Sequence, residues 1–135
     1  MNADQIIQIK EINQLSEQII GCAYAVSNGL GPGFLEKVYE NALAHELRKA
    51  GLKVQPQAPV TIYYDGIVVG EFFADLLIES SILVELKAAK ELNDVHLAQC
   101  LNYLKATRLK LCLLMNFSRP KLELRRIVNG LQEMK

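Results

Sequence analysis

Three residues in the middle of the chain have types and spacing that suit hydrolytic chemistry: Asp75, Glu85 and Lys87. They lie in two apolar runs around a short polar break, a pattern that predicts a β-hairpin. Glu85 and Lys87 are two residues apart, so their side chains share one face of a strand. A turn centred on Ser80 places Asp75 opposite Glu85 on that face, whereas a two-residue turn would move it to the other face. We therefore predict a turn of odd length, or a bulge.

This grouping of charges predicts a metal site. Charged groups among isoleucine, leucine and valine are costly unless they pair or bind a metal. Two neighbouring carboxylates repel each other, and a hard divalent cation such as Mg²⁺ relieves the repulsion with oxygen ligands. A lysine beside the metal could orient a water molecule or stabilise charge on a phosphate. The three side chains therefore suit phosphodiester hydrolysis, and the alternative is an ordinary ion-pair network on a half-exposed sheet face.

Two helices are predicted before the hairpin. Apolar residues at spacings of three and four predict the first over residues 1–28, with restarts at Asn13 or Ser16 left open. The glycine- and proline-containing segment 29–33 must end it. The second helix should run from about Phe34 to Ala50. Its predicted inward residues are Leu35, Val38, Ala42, Leu43 and Leu47.

Strands and one more helix should follow. Val54 to Gln57 is a short lead-in, and Val60 to Tyr64 meets a turn at Asp65-Gly66 before the chain returns towards Asp75. A third helix, capped at Asn93 or Asp94, should end near Thr107. Two strands are then predicted, over Leu109 to Phe117 and Leu122 to Val128.

The order of these elements predicts an α/β fold. A helix between two strands is long enough to join them in parallel, whereas the earlier strands form antiparallel hairpins. The result is a mixed β-sheet with helices packed on it. The length of 135 residues, half of them hydrophobic, suits one domain, with the helical segment 1–30 packing on a core of 31–130.

Composition narrows the classes of function. The chain has no apolar run long enough to span a bilayer and no signal-peptide pattern at its start, so we expect a cytoplasmic protein without a membrane partner. Its three cysteines suit packing rather than a disulfide framework or a zinc site. The net charge is zero, which argues against coating nucleic acid by bulk electrostatics. From Lys105 onward, however, the sequence contains eight basic residues and only two acidic ones, both glutamates. This basic end could lie near the carboxylates or form a solvated strand face.

Further polar residues lie one helical turn apart beside apolar stripes. Glu36 and Tyr39 form one such pair, and Gln99 and Tyr103 form another. Each pair could face the site, although tyrosines also commonly bury the ring at the edge of a core. His96 could share the face of Gln99 or be a surface or core residue.

The segment Gly33-Phe34-Leu35-Glu36-Lys37-Val38-Tyr39 resembles the G-x-x-E-x-x-Y signature of the GxxExxY proteins, a family assigned to the PD-(D/E)xK nuclease superfamily. The resemblance extends from about Leu15 to Val128. It implies a restriction-endonuclease-like fold in which Asp75 and Glu85 bind the metal, with Leu86 lending its backbone carbonyl. It also implies that Lys87 is the catalytic lysine, that Glu36 is a further carboxylate, and that Gln99 and Tyr103 support the site or contact substrate.

The chain departs from the family pattern at a few positions. Ala74 stands where the superfamily name has proline, Phe72-Phe73 where many relatives have a tyrosine and a basic residue, and Ser27 where a histidine is usual. The missing basic side chain would weaken contact with phosphate.

Two functions follow as hypotheses. The first is a nuclease that uses Mg²⁺ or Mn²⁺ to hydrolyse nucleic acid, with DNA favoured over RNA. The alternative is a catalytically silent module that keeps the nuclease fold and binds nucleic acid or a protein partner. A domain of this size has little surface to wrap a duplex, and a homodimer formed through apolar faces would remedy this.

Overall fold

Two helices precede the sheet in the computed structural model, which describes residues 1–130. Helix α1 spans Ala3–Leu30 without interruption, so neither predicted restart occurs. Its capping box is formed by Asn2 and Gln5, whose side chains and backbone amides bond reciprocally. Glu133 and Lys135, which belong to the basic C-terminal stretch of the sequence, lie outside the described residues.

Helix α2 spans Glu36–Lys49 and begins two residues later than predicted. The prediction that Leu35 and Val38 point inward is wrong, since their exposed fractions are 80% and 38%. Leu35 is the N-cap residue and so lies outside the helical turn, and the buried stripe is centred one residue further along. That stripe consists of Tyr39, Glu40, Leu43, Ala44 and Leu47.

The first two strands form a long hairpin. Strand β1, Val54–Tyr64, is continuous, whereas the sequence predicted a separate lead-in. It tolerates two prolines because it is an edge strand that pairs only with β2, Ile67–Ile78. The turn at Asp65-Gly66 has positive φ at both residues, 53° and 75°, as a type I′ hairpin requires.

The hairpin between β2 and β3, Ile82–Lys87, has the odd-length turn that the spacing predicts. Ile78 pairs with Ile82, which leaves three residues in the turn. Pairing between these strands runs only as far as Leu76 and Val84. Beyond that point β2 continues to pair with β1, so the first hairpin extends past the third strand.

The remaining elements complete a five-stranded mixed sheet in the order β1-β2-β3-β4-β5. Helix α3, Asp94–Thr107, crosses from β3 to the parallel strand β4, Leu111–Asn116. Strand β5, Glu123–Val128, is antiparallel to β4 at the far edge. The predicted α/β class and the parallel crossover are confirmed.

The core has two parts. The larger contains buried residues of α1, α2 and the sheet, including Ile19, Leu43 and Leu76. The smaller contains residues of α3 and the sheet, including Leu83 and Leu104. All three cysteines are free. Within residues 1–130, no helix combines the length and the hydropathy needed to cross a bilayer.

Candidate active site

Asp75 and Glu85 are held together by backbone hydrogen bonds where β2 and β3 separate. Glu85 Oε1 accepts a bond from the backbone N–H of Asp75 at 2.8 Å. Asp75 Oδ2 accepts one from the backbone N–H of Leu86, also at 2.8 Å. One step beyond the last paired residues, the two carboxylates therefore replace the ordinary ladder between the strands. The odd-length turn creates this register, because it sets Asp75 level with Glu85.

Burial makes ionisation of both acids unfavourable. Glu85 is 3% exposed, and burial, reinforced by the charge of Asp75, raises its pKa to about 8. Burial also raises the pKa of Asp75, against the opposing effect of its bond from Leu86. At neutral pH and without a cation, the pair therefore retains a proton. Replacing that proton with a positive charge would relieve the repulsion.

Helix α3 packs on the face of the sheet that carries Lys87, and it provides a hydrogen-bond partner for this lysine. Lys87 Nζ donates to Gln99 Oε1 at 3.3 Å, and Gln99 Nε2 donates to the Tyr103 hydroxyl at 3.2 Å. Tyr103 is buried, and burial, together with the charge of Glu85, raises its pKa. One hydrogen bond thus joins the lysine to the helix, and a second, within the helix, orients Gln99. The structure therefore brings Gln99 and Tyr103 together with Lys87.

His96 has a different role from these residues. Its Nδ1 accepts a bond from the backbone N–H of Asn93, and its own backbone N–H donates to Asn93 Oδ1. The two residues form the capping box of α3. His96 therefore defines the start of the helix that carries Gln99.

The two polar residues predicted on α2 separate in the structure. Glu36, the first residue of the helix, accepts a long 3.4 Å bond from the backbone N–H of Ala88, and its charge contributes to the raised pKa of Asp75 and Glu85. Tyr39 instead points into the core, where its ring stacks on Phe117 with centroids 4.9 Å apart. The two side chains do not converge on one point.

Tyr39 positions the loop that leads into α2. Its hydroxyl donates to the carbonyl of Gly31 at 2.6 Å and accepts from the backbone N–H of Phe34 at 3.2 Å. These bonds hold the turn just before Glu36. The glutamate of the G-x-x-E-x-x-Y segment therefore faces the site, and the tyrosine fixes the backbone of the segment from the core side.

Glu40 is a site residue that the sequence analysis missed. It is 5% exposed and accepts bonds from Lys37 Nζ at 2.6 Å and Gln57 Nε2 at 3.0 Å. Its charge adds to the raised pKa of Asp75. The signal available in the sequence was its position four residues after Glu36, which places both carboxylates on one helical face.

Gln57 was also missed, because its segment was interpreted as a lead-in. It lies between the pairs Pro56–Leu76 and Ala58–Ala74, level with Asp75, and its φ of 51° is left-handed. A non-glycine residue in that conformation costs energy, and such strain outside a turn recurs at functional sites. Here it turns the amide of Gln57 towards Glu40.

The donor set suits a hard cation, although the side chains are not arranged as a finished cage. In the part of the chain that the structure describes, no group of three or more His, Cys, Asp or Glu side chains is close enough to hold a metal ion. Asp75 and Glu85 nevertheless supply carboxylate oxygens, the ligands that Mg²⁺ and Mn²⁺ prefer. Burial and mutual repulsion raise the pKa values of both acids, and a bound cation would stabilise their charged forms.

The basic residues carried by β5 do not gather at this site. Strand β5 is separated from β3 by β4. Arg126 donates to Ser16 and Asn13 of α1, and Arg125 pairs with Glu123. Lys105 and Arg108 belong to the same basic stretch, but they lie at the end of α3, the helix that carries Gln99.

Comparison with known proteins agrees with this architecture. The family model of the PD-(D/E)XK nuclease superfamily matches residues 13–127, and the chain belongs to that superfamily. Among solved structures, the crystal structure of SSO0001 is similar in fold, with a TM-score of 0.54 and 18% sequence identity. The match covers 73% of this chain and 52% of that one, so this chain spans about half the length of its structural relative. No curated protein matches the sequence.

Proposed function

We propose that this protein is a metal-dependent nuclease that hydrolyses phosphodiester bonds in nucleic acid, with DNA favoured over RNA. The observation that carries the proposal is the interlocked pair of the half-buried Asp75 and the buried Glu85, on which the charge of Lys87 acts. Membership of the nuclease superfamily supports the same reading. The whole chain, residues 1–135, would act as one nuclease-like domain, and its G-x-x-E-x-x-Y segment favours the GxxExxY branch of the superfamily.

Each site residue has a proposed role. Asp75 and Glu85 would hold Mg²⁺ or Mn²⁺, with the backbone carbonyl of Leu86 and the carboxylate of Glu36 as further oxygen ligands. When bound, the cation would supply a Lewis acid that lowers the pKa of a water molecule and stabilises charge on the phosphate. Lys87 would orient that water.

Gln99 and Tyr103 act through the lysine in this proposal. The bond from Lys87 to Gln99, and from Gln99 to Tyr103, limits the positions that the ammonium group can take. Holding a catalytic group in place before substrate arrives lowers the entropic part of the barrier. Removal of either residue should therefore reduce the rate without abolishing metal binding.

A second function is a module that binds nucleic acid or a protein partner without cutting. It is favoured by the lack, among residues 1–130, of a ready-made cluster of three metal-binding side chains. The neutral net charge and the phenylalanines at positions 72 and 73 point the same way. Formation of a homodimer stays a prediction under either function.

Cleavage assays separate the two functions. Single- and double-stranded DNA and RNA are incubated with the protein and Mg²⁺ or Mn²⁺, and products are resolved on denaturing gels. Lys87→Ala should abolish cleavage, whereas Lys90→Ala, which changes an exposed lysine three residues away, should leave it unchanged. Unchanged cleavage by Lys87→Ala would remove that lysine from the mechanism.

Calorimetry tests the metal independently of catalysis. The wild-type protein should bind Mn²⁺, and Asp75→Asn and Glu85→Gln should each weaken that binding. If the wild-type protein neither binds Mn²⁺ nor cleaves any of the four substrates, the silent binding module is the better description.

A further inference from the structure

A groove lies between α3 and the part of the β1–β2 hairpin that extends past β3. Its volume is about 820 Å³, which falls within the range of ligand-binding clefts. The residues that line it come from both strands and from one side of the helix. They are Thr61, Ile62, Tyr63, Phe72, Val95, Ala98, Gln99, Asn102, Tyr103, Lys105, Ala106 and Arg108.

Besides threonine and aliphatic residues, the lining contains aromatic, amide and basic side chains. Tyr63 and Phe72 are aromatic residues that remain 65% and 49% exposed, and the Phe72 ring lies 6.0 Å from that of Tyr103. Asn102 offers an exposed amide. Lys105 and Arg108 place two positive charges on the lining, which contains no carboxylate among the residues the structure describes.

The groove shares two residues with the candidate active site. Gln99 lines the groove and also accepts the hydrogen bond from Lys87. Tyr103, which bonds to Gln99, lines it as well. A chain-like ligand lying along the groove would therefore contact the two residues that connect it to the lysine.

We propose that this groove binds an unpaired segment of nucleic acid, with bases stacked on Phe72 and Tyr63 and phosphates paired with Lys105 and Arg108. The inference rests on the proposed nuclease function and specifies its substrate as single-stranded, or as a duplex with an unpaired end. Aromatic faces combined with cations, and without acidic groups, match the chemistry by which proteins bind unpaired strands. In a duplex the faces of the bases are stacked on one another and cannot meet the rings.

Two adjacent aromatic pairs on the hairpin provide matched controls. Phe72 and Phe73 have similar exposed fractions, 49% and 52%, but only Phe72 lines the groove. Tyr63 and Tyr64 differ in the same way, since Tyr63 lines the groove and Tyr64 does not. Within each pair, the two alanine substitutions remove similar exposed rings from the β1–β2 hairpin, and only one of these rings lines the groove.

The first experiment measures binding without cleavage. Fluorescence anisotropy is recorded with labelled 20-nucleotide oligothymidine and with a 20-base-pair duplex, in EDTA. The wild-type protein should bind the single strand more tightly. Phe72→Ala and Tyr63→Ala should each weaken that binding by roughly 5- to 150-fold, the range found for loss of one stacked base, whereas Phe73→Ala and Tyr64→Ala should change it less than about twofold.

The second experiment measures the charge contacts through salt dependence. Arg108 is the C-cap of α3 with φ of 63°, so Arg108→Asn removes the charge with a residue that tolerates this conformation. For a single strand, each lost phosphate contact should reduce the slope of log K against log salt by about 0.7. Arg108→Asn and Lys105→Gln should both do so, and Phe72→Ala should leave the slope unchanged.

These experiments test the groove assignment and the nuclease activity independently. Equal binding of Phe72→Ala and Phe73→Ala, or tighter binding of the duplex than of the single strand, would overturn the inference even if the protein proves to be a nuclease. Conversely, the predicted binding pattern without any cleavage would leave the groove assignment standing and reject the catalytic proposal. Thermal unfolding of each variant confirms that lost binding does not reflect lost structure.

Discussion

Replacing Glu85 by glutamine should make the metal-free protein more stable, and increasingly so as the pH rises. The carboxyl group is buried, and its pKa is raised from 4.5 to about 8. Glutamine has nearly the same shape and keeps an oxygen that can accept the bond from the backbone N–H of Asp75. It removes only the ability to become charged.

The sign of the effect follows from proton binding. Between pH 4.5 and about 8, the folded protein holds a proton that the unfolded chain releases, so the free energy of unfolding of the wild type falls as pH rises through that window. At pH 5 the cost of ionisation is about 1 kcal/mol, and at pH 8 it is on the order of 4 kcal/mol. The advantage of Glu85→Gln should therefore grow by roughly 3 kcal/mol between these two pH values. Because Asp75 and Glu85 titrate together, the change belongs to the pair.

Urea unfolding followed by circular dichroism measures this difference at pH 5, 6, 7 and 8 in EDTA. Glu91→Gln removes a carboxylate from an exposed position in the same part of the chain and serves as the control for net charge. Its stability relative to the wild type should be nearly independent of pH. A Glu85→Gln advantage that is equally flat would refute the claim that this carboxylate is desolvated and crowded by Asp75.

The same variants report on metal binding. At pH 8, Mn²⁺ at a hundred times its dissociation constant should stabilise the wild type by about 2.7 kcal/mol. Glu85→Gln should gain much less, because one of the proposed carboxylate ligands is absent. Equal stabilisation of both proteins by Mn²⁺ would place the ion elsewhere.

Three further substitutions test the surroundings of the site. Tyr39→Phe removes the hydroxyl that holds the loop before α2, and should lower the free energy of unfolding by about 1–2 kcal/mol in urea titrations. Asn116→Ala removes a fully buried amide that makes four hydrogen bonds between the loops after β3 and β4 and the start of β5, and should cost about 3 kcal/mol in the same assay. Glu40→Gln removes a nearby negative charge and should lower the pKa of Asp75. NMR titration of the Asp75 carboxyl carbon measures this pKa, and an unchanged value would exclude coupling between the two acids.

The order of elements and the register of the central hairpin were readable in the sequence. Both depend on local spacing: apolar periodicity distinguishes helix from strand, and the number of residues between Ile78 and Ile82 decides which side chains are opposite each other. The side-by-side arrangement of Glu85 and Lys87 is likewise a property of any strand. These features can be predicted because they depend on spacing along the chain and not on how distant segments pack.

The roles of Glu36 and Tyr39 were not readable in this way. They are three residues apart on one helix, and only the docking of α2 decides that one faces the carboxylates while the other enters the core. The helix was also predicted to begin two residues early, which displaced its inward face onto Leu35 and Val38. The error is confined to the first turn, because Leu43 and Leu47 are buried as predicted.

By itself, the sequence determined the strands and helices, their order, and the local register that sets Asp75 level with Glu85. Only the tertiary structure decided that Glu40 and Gln57 join the site from a helix and an edge strand, and that a groove opens beside Gln99. The physical reason is range: register and periodicity arise between near neighbours in the chain. The burial that shifts a pKa, and the space between a helix and a hairpin, arise only when distant segments pack together.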